Sequence, residues 1–304
     1  MPRFAPDGSI NEIRFQRLKD KLGNRSNASS EVEFHGAYAE RVGAEGKGIR
    51  TIIQMVQLTR QDCAIASAGL MRSGLAHALH HARHRSVFQK HLADQPLMQA
   101  VLSDMALHVE ATVALVMRLC RSFDRAPVDA KEAAYMRLLT PAIKYWVCKS
   151  APGFLYEAME CLGGNGYVEE GILARHYREA PVNAIWEGSG NVMCLDVLRA
   201  LAREPEVASS IVHELTGETL GLPGAGEATA FIGKAFHRPD SERVARLAVE
   251  KLALLAASAA LNAVSPRHAQ LFAATRLAGN HGGMYGAVEL ANDDIRGLLG
   301  RALP

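Results

Sequence analysis

Apolar residues recur at every third or fourth position through most of the chain after residue 48, and this period constrains the fold more than any other feature. Such spacing places an apolar face along an α-helix, whereas strict alternation of apolar and polar residues would predict strands. Several of these faces are long, and the links between them are short or structured, which favours an antiparallel bundle. The predicted bundle helices are residues 49–79, 97–119, 129–162 and 191–202.

Prolines and glycines mark the expected interruptions. Pro141 and Pro152 fall inside the third helix and are expected to kink or divide it, because proline lacks a backbone N–H group. Residues 163–190 are punctuated by glycines and predict a long connection, and residues 216–226 predict a linker. Further helices are predicted at residues 240–264, 266–279 and 286–299.

The N-terminal residues follow a different pattern. Short polar and apolar stretches alternate there, and they predict strands at residues 10–15 and 31–35. The predicted fold class is therefore mainly α, an antiparallel four-helix bundle with a short β region before it and a helical extension after it. The predicted domains are residues 1–45, 46–203 and 204–304.

Charge and hydropathy exclude several classes of protein. The 34 basic and 32 acidic residues give a net charge of +2, which excludes a globally basic nucleic-acid binder but leaves room for a local patch. No apolar run reaches about 18 residues, so no membrane-spanning helix and no membrane partner are expected. The N-terminus lacks a basic head followed by an apolar run, so we expect a cytoplasmic protein.

Cysteine and histidine spacing gives no metal site. The five cysteines are widely spaced without a CxxC pair, which predicts reduced and mostly buried thiols. Four histidines at positions 77, 80, 81 and 84 have helical spacing that could suit a metal pair. Arg83 and Arg85 stand among them, and their positive charges disfavour a bound cation. A solvated or interface helix face is the favoured interpretation.

The segment 185–191 is the most informative for chemistry. Glu187 lies between the large aromatic Trp186 and Gly188, where the indole would desolvate the carboxylate, as a base for carbon acids requires. Ser189 and Asn191 follow at a predicted helix start, where they can cap the helix or hold a phosphate. The alternative is a solvated loop glutamate beside a cap. A glycine pair, Gly163 and Gly164, could likewise be a helix C-cap or a place where a flat ligand approaches.

Four segments together resemble the acyl-CoA dehydrogenase family. They are residues 85–88 (RSVF), 163–167 (GGNGY), 177–181 (YREAP) and 185–188 (IWEG). The strings 18–29 and 185–199 narrow the resemblance to the alkylation-response, AidB-like branch, of which this chain is similar to the C-terminal part. The resemblance covers essentially the whole chain.

The resemblance implies an FAD flavoprotein whose four-helix bundle assembles into a homodimer or homotetramer. Residues 1–45 would be the end of a β-domain, so most of that domain and the helical domain before it would be absent. Gln89 stands where the family usually has glycine. Glu187 falls on the catalytic-base position and Arg60 on a substrate-binding position near the acyl pocket. The implied FAD-binding residues are Arg85, Phe88, Gln95, Glu160, Gly163, Gly164, Ser189 and Asn191, of which the first six would reach the FAD of a neighbouring subunit.

The implied function is α,β-dehydrogenation of an acyl-CoA thioester, in which a desolvated carboxylate removes the α-proton while the flavin accepts hydride. The alternative is a flavoprotein that binds double-stranded DNA through its C-terminal region with little turnover. Arg199 is the implied DNA-binding candidate, although residues 199–304 carry 11 basic and 11 acidic residues. A third interpretation is a helical bundle that only self-associates.

Overall fold

The structure is a computed structural model that describes residues 1–302. The chain forms two compact units, Met1–Thr59 and Arg60–Pro304. The strands are β1 (Ile13–Leu18), β2 (Ser30–Phe34), β3 (Ser86–Val87) and β4 (Lys90–His91). The helices are α1 (Gly48–His84), α2 (Pro96–Arg125), α3 (Ala130–Cys161), α4 (Gly164–Tyr167), α5 (Ile172–Ile185), α6 (Gly190–Arg203), α7 (Pro205–Glu218), α8 (Ala225–Phe236), α9 (Ser241–Asn262), α10 (Pro266–Phe272) and α11 (Asn292–Ala302).

In the first unit, β1 and β2 form an antiparallel pair with Ile13 opposite Phe34. The prediction of two strands is confirmed, but β1 begins three residues later than expected. The reason is that Ile10 pairs instead with Phe4 in a separate bridge. The buried side chain of Asn11 then bonds the backbone of Pro2 and Tyr38, so this stretch leaves the sheet.

The second unit contains the four-helix bundle, which confirms the predicted fold class. Along α2 and α3, Ser122 bonds Glu132, and His108 lies 3.2 Å from Ser150, so the residue numbers run in opposite directions. Helices α3 and α6 are also antiparallel, since Arg137 pairs with Asp196 whereas Tyr145 packs against Gly190. The α3 N-terminus is fixed by the Asp129 carboxylate, which accepts two backbone N–H bonds.

Helix α3 continues through both of its prolines and is not divided. Pro141 is buried with the residues on either side of it, so the packing of neighbouring helices holds the turn that the missing N–H group weakens. The predicted connection at 163–190 was wrong in one respect, because it contains the helices α4 and α5. Leu173, Ala174 and Ala180 bury one face of α5, but the charged residues between them obscure the apolar period.

The C-terminal extension is more helical than the sequence predicts. Helix α7 continues to Glu218, so the predicted linker shortens to residues 219–224, and α7 and α8 are both absent from the prediction. Helix α11 begins at Asn292 and not near residue 286, because a glycine-rich loop precedes it. Helix α9 packs against α2, α3 and α6, so one hydrophobic core runs from the bundle into the extension. The predicted domain boundaries stay predictions.

Helix α2 is long and apolar enough to cross a membrane by length and composition alone. However, 67% of its most apolar stretch is buried inside the protein, as in the core helix of a globular fold. The expectation of no membrane partner stays a prediction. All five cysteines are free thiols, and four of them are buried.

His108 lies in an aromatic part of this core, with Trp146, Phe154 and Tyr285 around its ring. Burial, followed by the charges of Arg276 and His281, lowers the pKa of His108 to about 3. In the unfolded chain the His108 ring is therefore protonated below about pH 6.5, whereas in the folded protein it is protonated only below about pH 3.

We predict that this histidine makes the protein less stable as the pH falls from 6.5 towards 3. The slope of the unfolding free energy that it contributes is about 1.4 kcal/mol per pH unit. Urea titrations at several pH values should give a shallower slope for His108→Gln than for the unmodified protein. Equal slopes would show that the His108 ring is already protonated in the folded state.

Candidate active site

The loop between α5 and α6 holds Glu187 in a strained backbone conformation. Glu187 has a φ of +59°, which costs a residue with a side chain about 1–2 kcal/mol. Gly188 follows with a φ of +107°, and a Cβ atom there would lie 2.5 Å from the Met193 side chain. The turn therefore requires glycine at position 188, and it directs the chain straight into α6.

A buried lysine fixes this loop. Lys144 of α3 is 1% exposed, and its ammonium donates hydrogen bonds of 2.7 Å to the carbonyl oxygens of both Trp186 and Gly188. The Arg60 guanidinium donates a third bond, of 3.0 Å, to the carbonyl oxygen of Glu187. Three consecutive carbonyl groups are thus held by two cations, which fixes the position from which the Glu187 side chain projects.

Arg60 is itself fixed by a carboxylate of α6. Asp196 accepts a 2.7 Å bond from Arg60 and a 3.2 Å contact from Arg137, and all three side chains are at least half buried. The structure therefore places Arg60 against the loop that carries Glu187, and its role in substrate binding stays a prediction. Asp196, in the middle of α6, thereby ties that helix to α1 and α3.

Three residues that hold the loop escape prediction from the sequence: Lys144, Arg137 and Asp196. One signal was available for Lys144, because it stands alone within the apolar stretch from Leu138 to Cys148. A charge at such a position must find polar partners, since burying it without them costs several kcal/mol. Nothing in the sequence shows that those partners are carbonyl groups 42 and 44 residues away.

The electrostatics around Lys144 exclude the nearby thiols as nucleophiles. Burial lowers the pKa of the Lys144 ammonium and raises the pKa of Cys63. Burial also raises the pKa of Cys148 to about 12, so both thiols are protonated near neutral pH. Cys63 and Cys148 are therefore buried, protonated thiols in the neighbourhood of Lys144.

The Glu187 carboxylate itself is partly exposed and has no hydrogen-bond or ion-pair partner among residues 1–302. Trp186 is 38% exposed, so its indole covers the loop on one side only. Trp186 also lines an open cleft with Ser73, His176 and Asn183. An unpaired carboxylate on a fixed backbone is available to accept a proton from a substrate.

The start of α6 offers donors to an anion. Ser189 is the N-cap, and its hydroxyl makes no capping bond, so both it and the first N–H groups of the helix remain available. The first turn contains no acidic residue. The side-chain oxygen of Asn191 accepts a 2.9 Å bond from Arg246 of α9. Ser189 and Asn191 both lie at the start of α6, and their role in FAD binding stays a prediction.

A second group of predicted residues lines a separate cleft of about 530 Å³. Arg85, Glu160, Gly163 and Gly164 meet there, at the adjoining ends of α1 and α3. Gly163 has a φ of +58°, and a Cβ atom on either glycine would meet nothing within 4 Å, so the space before them is open. Gly163 and Gly164 therefore form the turn that follows α3, and they also leave space in which a ligand could approach the backbone.

Phe88 and Gln95 do not line this cleft: Phe88 belongs to the β3–β4 hairpin beside it, and Gln95 is the residue before α2. Phe88 is at the tip and is 93% exposed, and Gln95 donates a 3.2 Å bond to the Val87 carbonyl. The two-residue turn has positive φ at both Phe88 (+48°) and Gln89 (+65°). Gln89 thus occupies the conformation that glycine adopts without strain.

The two groups of predicted cofactor residues are not brought together within one chain. Gly190 packs beside Lys149, whereas Glu160 lies eleven residues further along α3. At 1.5 Å per residue, the two groups are about 16 Å apart along that helix. One group lies at the start of α6 and the other at the far end of α3.

Arg199 lies elsewhere, at the mouth of an apolar cavity, and it is exposed without an ion pair in the part of the chain described. Binding of double-stranded DNA stays a prediction. The rings of His80 and His84 lie 4.4 Å apart on the surface of α1. Within residues 1–302, no three His, Cys, Asp or Glu side chains converge as metal ligands.

Comparison with known proteins decides the family. The sequence model described as "Acyl-CoA dehydrogenase, C-terminal domain" matches residues 46–202, more than half of the chain. The chain belongs to the acyl-CoA dehydrogenase family. It is 56% identical over 207 residues to the putative acyl-CoA dehydrogenase AidB of Escherichia coli (strain K12), a match that covers 68% of this chain and 38% of that protein. The AidB-like branch is thereby confirmed.

Solved structures of the family share the fold. ACDH-11 of Caenorhabditis elegans, in complex with C11-CoA, superposes with a TM-score of 0.80 at 26% identity, over 96% of this chain and 53% of that one. An acyl-CoA dehydrogenase from Bacillus anthracis, complexed with FAD, gives a TM-score of 0.69 at 16% identity, over 97% and 59% of the two chains. The second likeness shows the fold alone. The chain thus spans less than two fifths of its Escherichia coli relative and about half of these structures.

We predict that replacing Lys144 by methionine loosens the loop that carries Glu187. The carbonyl groups of Trp186 and Gly188 would lose their donor, which should lower the free energy of unfolding by about 2 kcal/mol. Urea unfolding checks this change, and hydrogen exchange should become faster at residues 186–190. Lys149→Met is the matched control, because Lys149 is exposed on the same helix and its loss should change stability by less than about 0.5 kcal/mol. Unchanged stability in Lys144→Met would contradict the role given to Lys144.

The strained hairpin gives a second prediction. Gln89→Gly removes the cost of a left-handed residue and should raise the free energy of unfolding by about 0.5–1 kcal/mol, after the extra entropy of glycine in the unfolded chain is subtracted. Lys90→Gly is the control, because Lys90 lies in β4 without a positive φ and should lose about 0.5 kcal/mol. If both variants lose stability equally, the turn is not strained at Gln89.

Proposed function

We propose that the chain carries the catalytic base of an FAD-dependent acyl-CoA dehydrogenase, with Glu187 removing the α-proton of an acyl-CoA thioester. The observation that carries this proposal is the unpaired Glu187 carboxylate on a loop whose three carbonyl groups are bound by Lys144 and Arg60. A base must be held within hydrogen-bond reach of the proton that it takes. Here the backbone is fixed while the carboxylate stays free.

The residues present fit the phosphates of FAD. The N-terminal N–H groups of α6 and the Ser189 hydroxyl are donors without a capping partner, and a helix N-terminus favours an anion. Arg85 adds a planar guanidinium suited to two phosphate oxygens, in a cleft opened by Gly163 and Gly164. The cofactor, when bound, would supply the acceptor for the hydride that leaves the β-carbon. The remaining steps belong to the protein.

The protein's own part is to position and protect the base. Lys144 and Arg60 keep the loop in its high-energy turn, so Glu187 does not relax away from the substrate. The Trp186 indole, which is 38% exposed, would cover one side of the loop and keep water from it. Removal of water strengthens a carboxylate as a base for a weakly acidic C–H group.

The separation between the two groups of cofactor residues supports assembly with a second copy of the chain. A homodimer or homotetramer would let Ser189 and Asn191 serve one cofactor while Arg85, Phe88 and Glu160 serve another. The exposed Phe88 side chain at the hairpin tip is placed to reach beyond its own chain. The acyl-CoA substrate is proposed on the family and on the C11-CoA bound by the worm protein.

We predict that Glu187→Gln slows anaerobic reduction of bound FAD by an acyl-CoA by about 10²–10⁴-fold, since the amide cannot take the proton. Stopped-flow absorbance of the flavin measures the rate, and a separate FAD titration should show unchanged cofactor affinity. Glu170→Gln, an exposed carboxylate before α5, is the control and should leave the rate unchanged. Reduction of the Glu187→Gln protein at the normal rate would rule out Glu187 as the base.

A further inference from the structure

An apolar cavity of about 570 Å³ lies between α6 of the bundle and helices α7, α8 and α9 of the C-terminal extension. This volume is typical of a pocket that encloses a small organic ligand. None of its lining residues belongs to the loop at residues 186–189 or to the predicted cofactor groups. The walls are formed mainly by Leu195, Leu198, Leu201, Val212, Ile232 and Phe236.

The solvent-exposed edge of the cavity, its mouth, carries charged and polar side chains, whereas the walls are apolar. Arg199 lies there, exposed, and it forms no ion pair with any of residues 1–302. Glu242, in the first turn of α9, also lines the mouth and also lacks an ion pair within the same residues. The remaining polar side chains at the mouth are Ser209, Ser241 and His237, and the His237 ring already contacts the Gly233 carbonyl.

We propose that this cavity binds a single-chain aliphatic carboxylate, a fatty acid, with its tail among the leucines and its carboxylate on Arg199. Apolar side chains form most of the lining, so a hydrocarbon chain is the complementary occupant of that part of the cavity. An unpaired guanidinium binds both oxygens of a carboxylate at once. Glu242 opposes the carboxylate by like-charge repulsion and thereby limits the affinity.

The first test is a chain-length series. Each methylene group that enters the cavity should tighten binding about fourfold, and the gain should stop when the cavity is full. Calorimetric titration with hexanoate, octanoate, decanoate and dodecanoate should therefore show a steep rise in affinity followed by a plateau. Affinity that does not depend on chain length would overturn the proposal.

Two glycines of α8 give a matched pair of variants that separates this cavity from any other acyl site. Gly233 lines the cavity, and a Cβ atom there meets nothing within 4 Å, so Gly233→Leu fills the space without a clash. Gly226 lies on the same helix with equal room but does not line the cavity. Gly226→Leu gains the same helix propensity and should bind decanoate normally. Gly233→Leu should bind it at least tenfold more weakly.

The two charged residues at the mouth provide the test of the head group. Arg199→Gln should weaken decanoate but leave decanol unchanged, and Glu242→Gln should tighten decanoate, because it removes the repelling charge. Equal decanoate affinity in the Gly233→Leu and Gly226→Leu proteins would contradict the cavity as the site. Equal losses of decanoate and decanol in Arg199→Gln would contradict Arg199 as the carboxylate partner. If Arg199→Gln instead reduced only the retention of duplex DNA, the arginine would serve a nucleic acid and the proposal would fail.

Discussion

The bond from the buried Lys144 ammonium to two carbonyl groups of the loop before α6 is the interaction on which the candidate active site depends. A cation that is 1% exposed is costly unless its donors are satisfied, and here backbone carbonyls satisfy them in place of a carboxylate. If the loop moved away, the Lys144 ammonium would stay buried without its two hydrogen-bond acceptors, so movement of the loop is costly. Arg60 and Asp196 extend the same constraint to α1 and α6, so the positive φ of Glu187 is held by three helices.

A second constraint joins the bundle to the helices that follow it. Asp104 of α2 is completely buried, and it accepts bonds from Arg276 and from the backbone N–H group of Gly286. The loop before α11 is thereby fixed to the bundle by one carboxylate, while the apolar face of α9 covers α2, α3 and α6. The extension is thus part of the same core, and it brings Arg246 to Asn191 at the candidate cofactor site.

The helical period was sufficient to predict the bundle helices and the fold class, because a helix with one buried face has apolar residues at every third or fourth position. It failed for α5, where charged residues and Pro181 interrupt the apolar positions, and for α8, which contains two glycines; there packing decides the outcome. Helix α7 was also missed, although its buried residues have helical spacing. Glu187 and its neighbours could be chosen because their residue types and spacing are unusual. The partners of the loop could not, since Lys144 and Asp196 are far from it in sequence and only the fold brings them together.

The proposed function requires that residues of this chain hold a flavin close to Glu187. The most direct measurement is the visible absorbance of the purified protein after addition of FAD and removal of unbound flavin by desalting. We predict that a flavin band is retained, and that it is lost in a variant lacking the Ser189 hydroxyl and the Arg85 guanidinium. A colourless protein after desalting would contradict the proposal that this chain holds the cofactor.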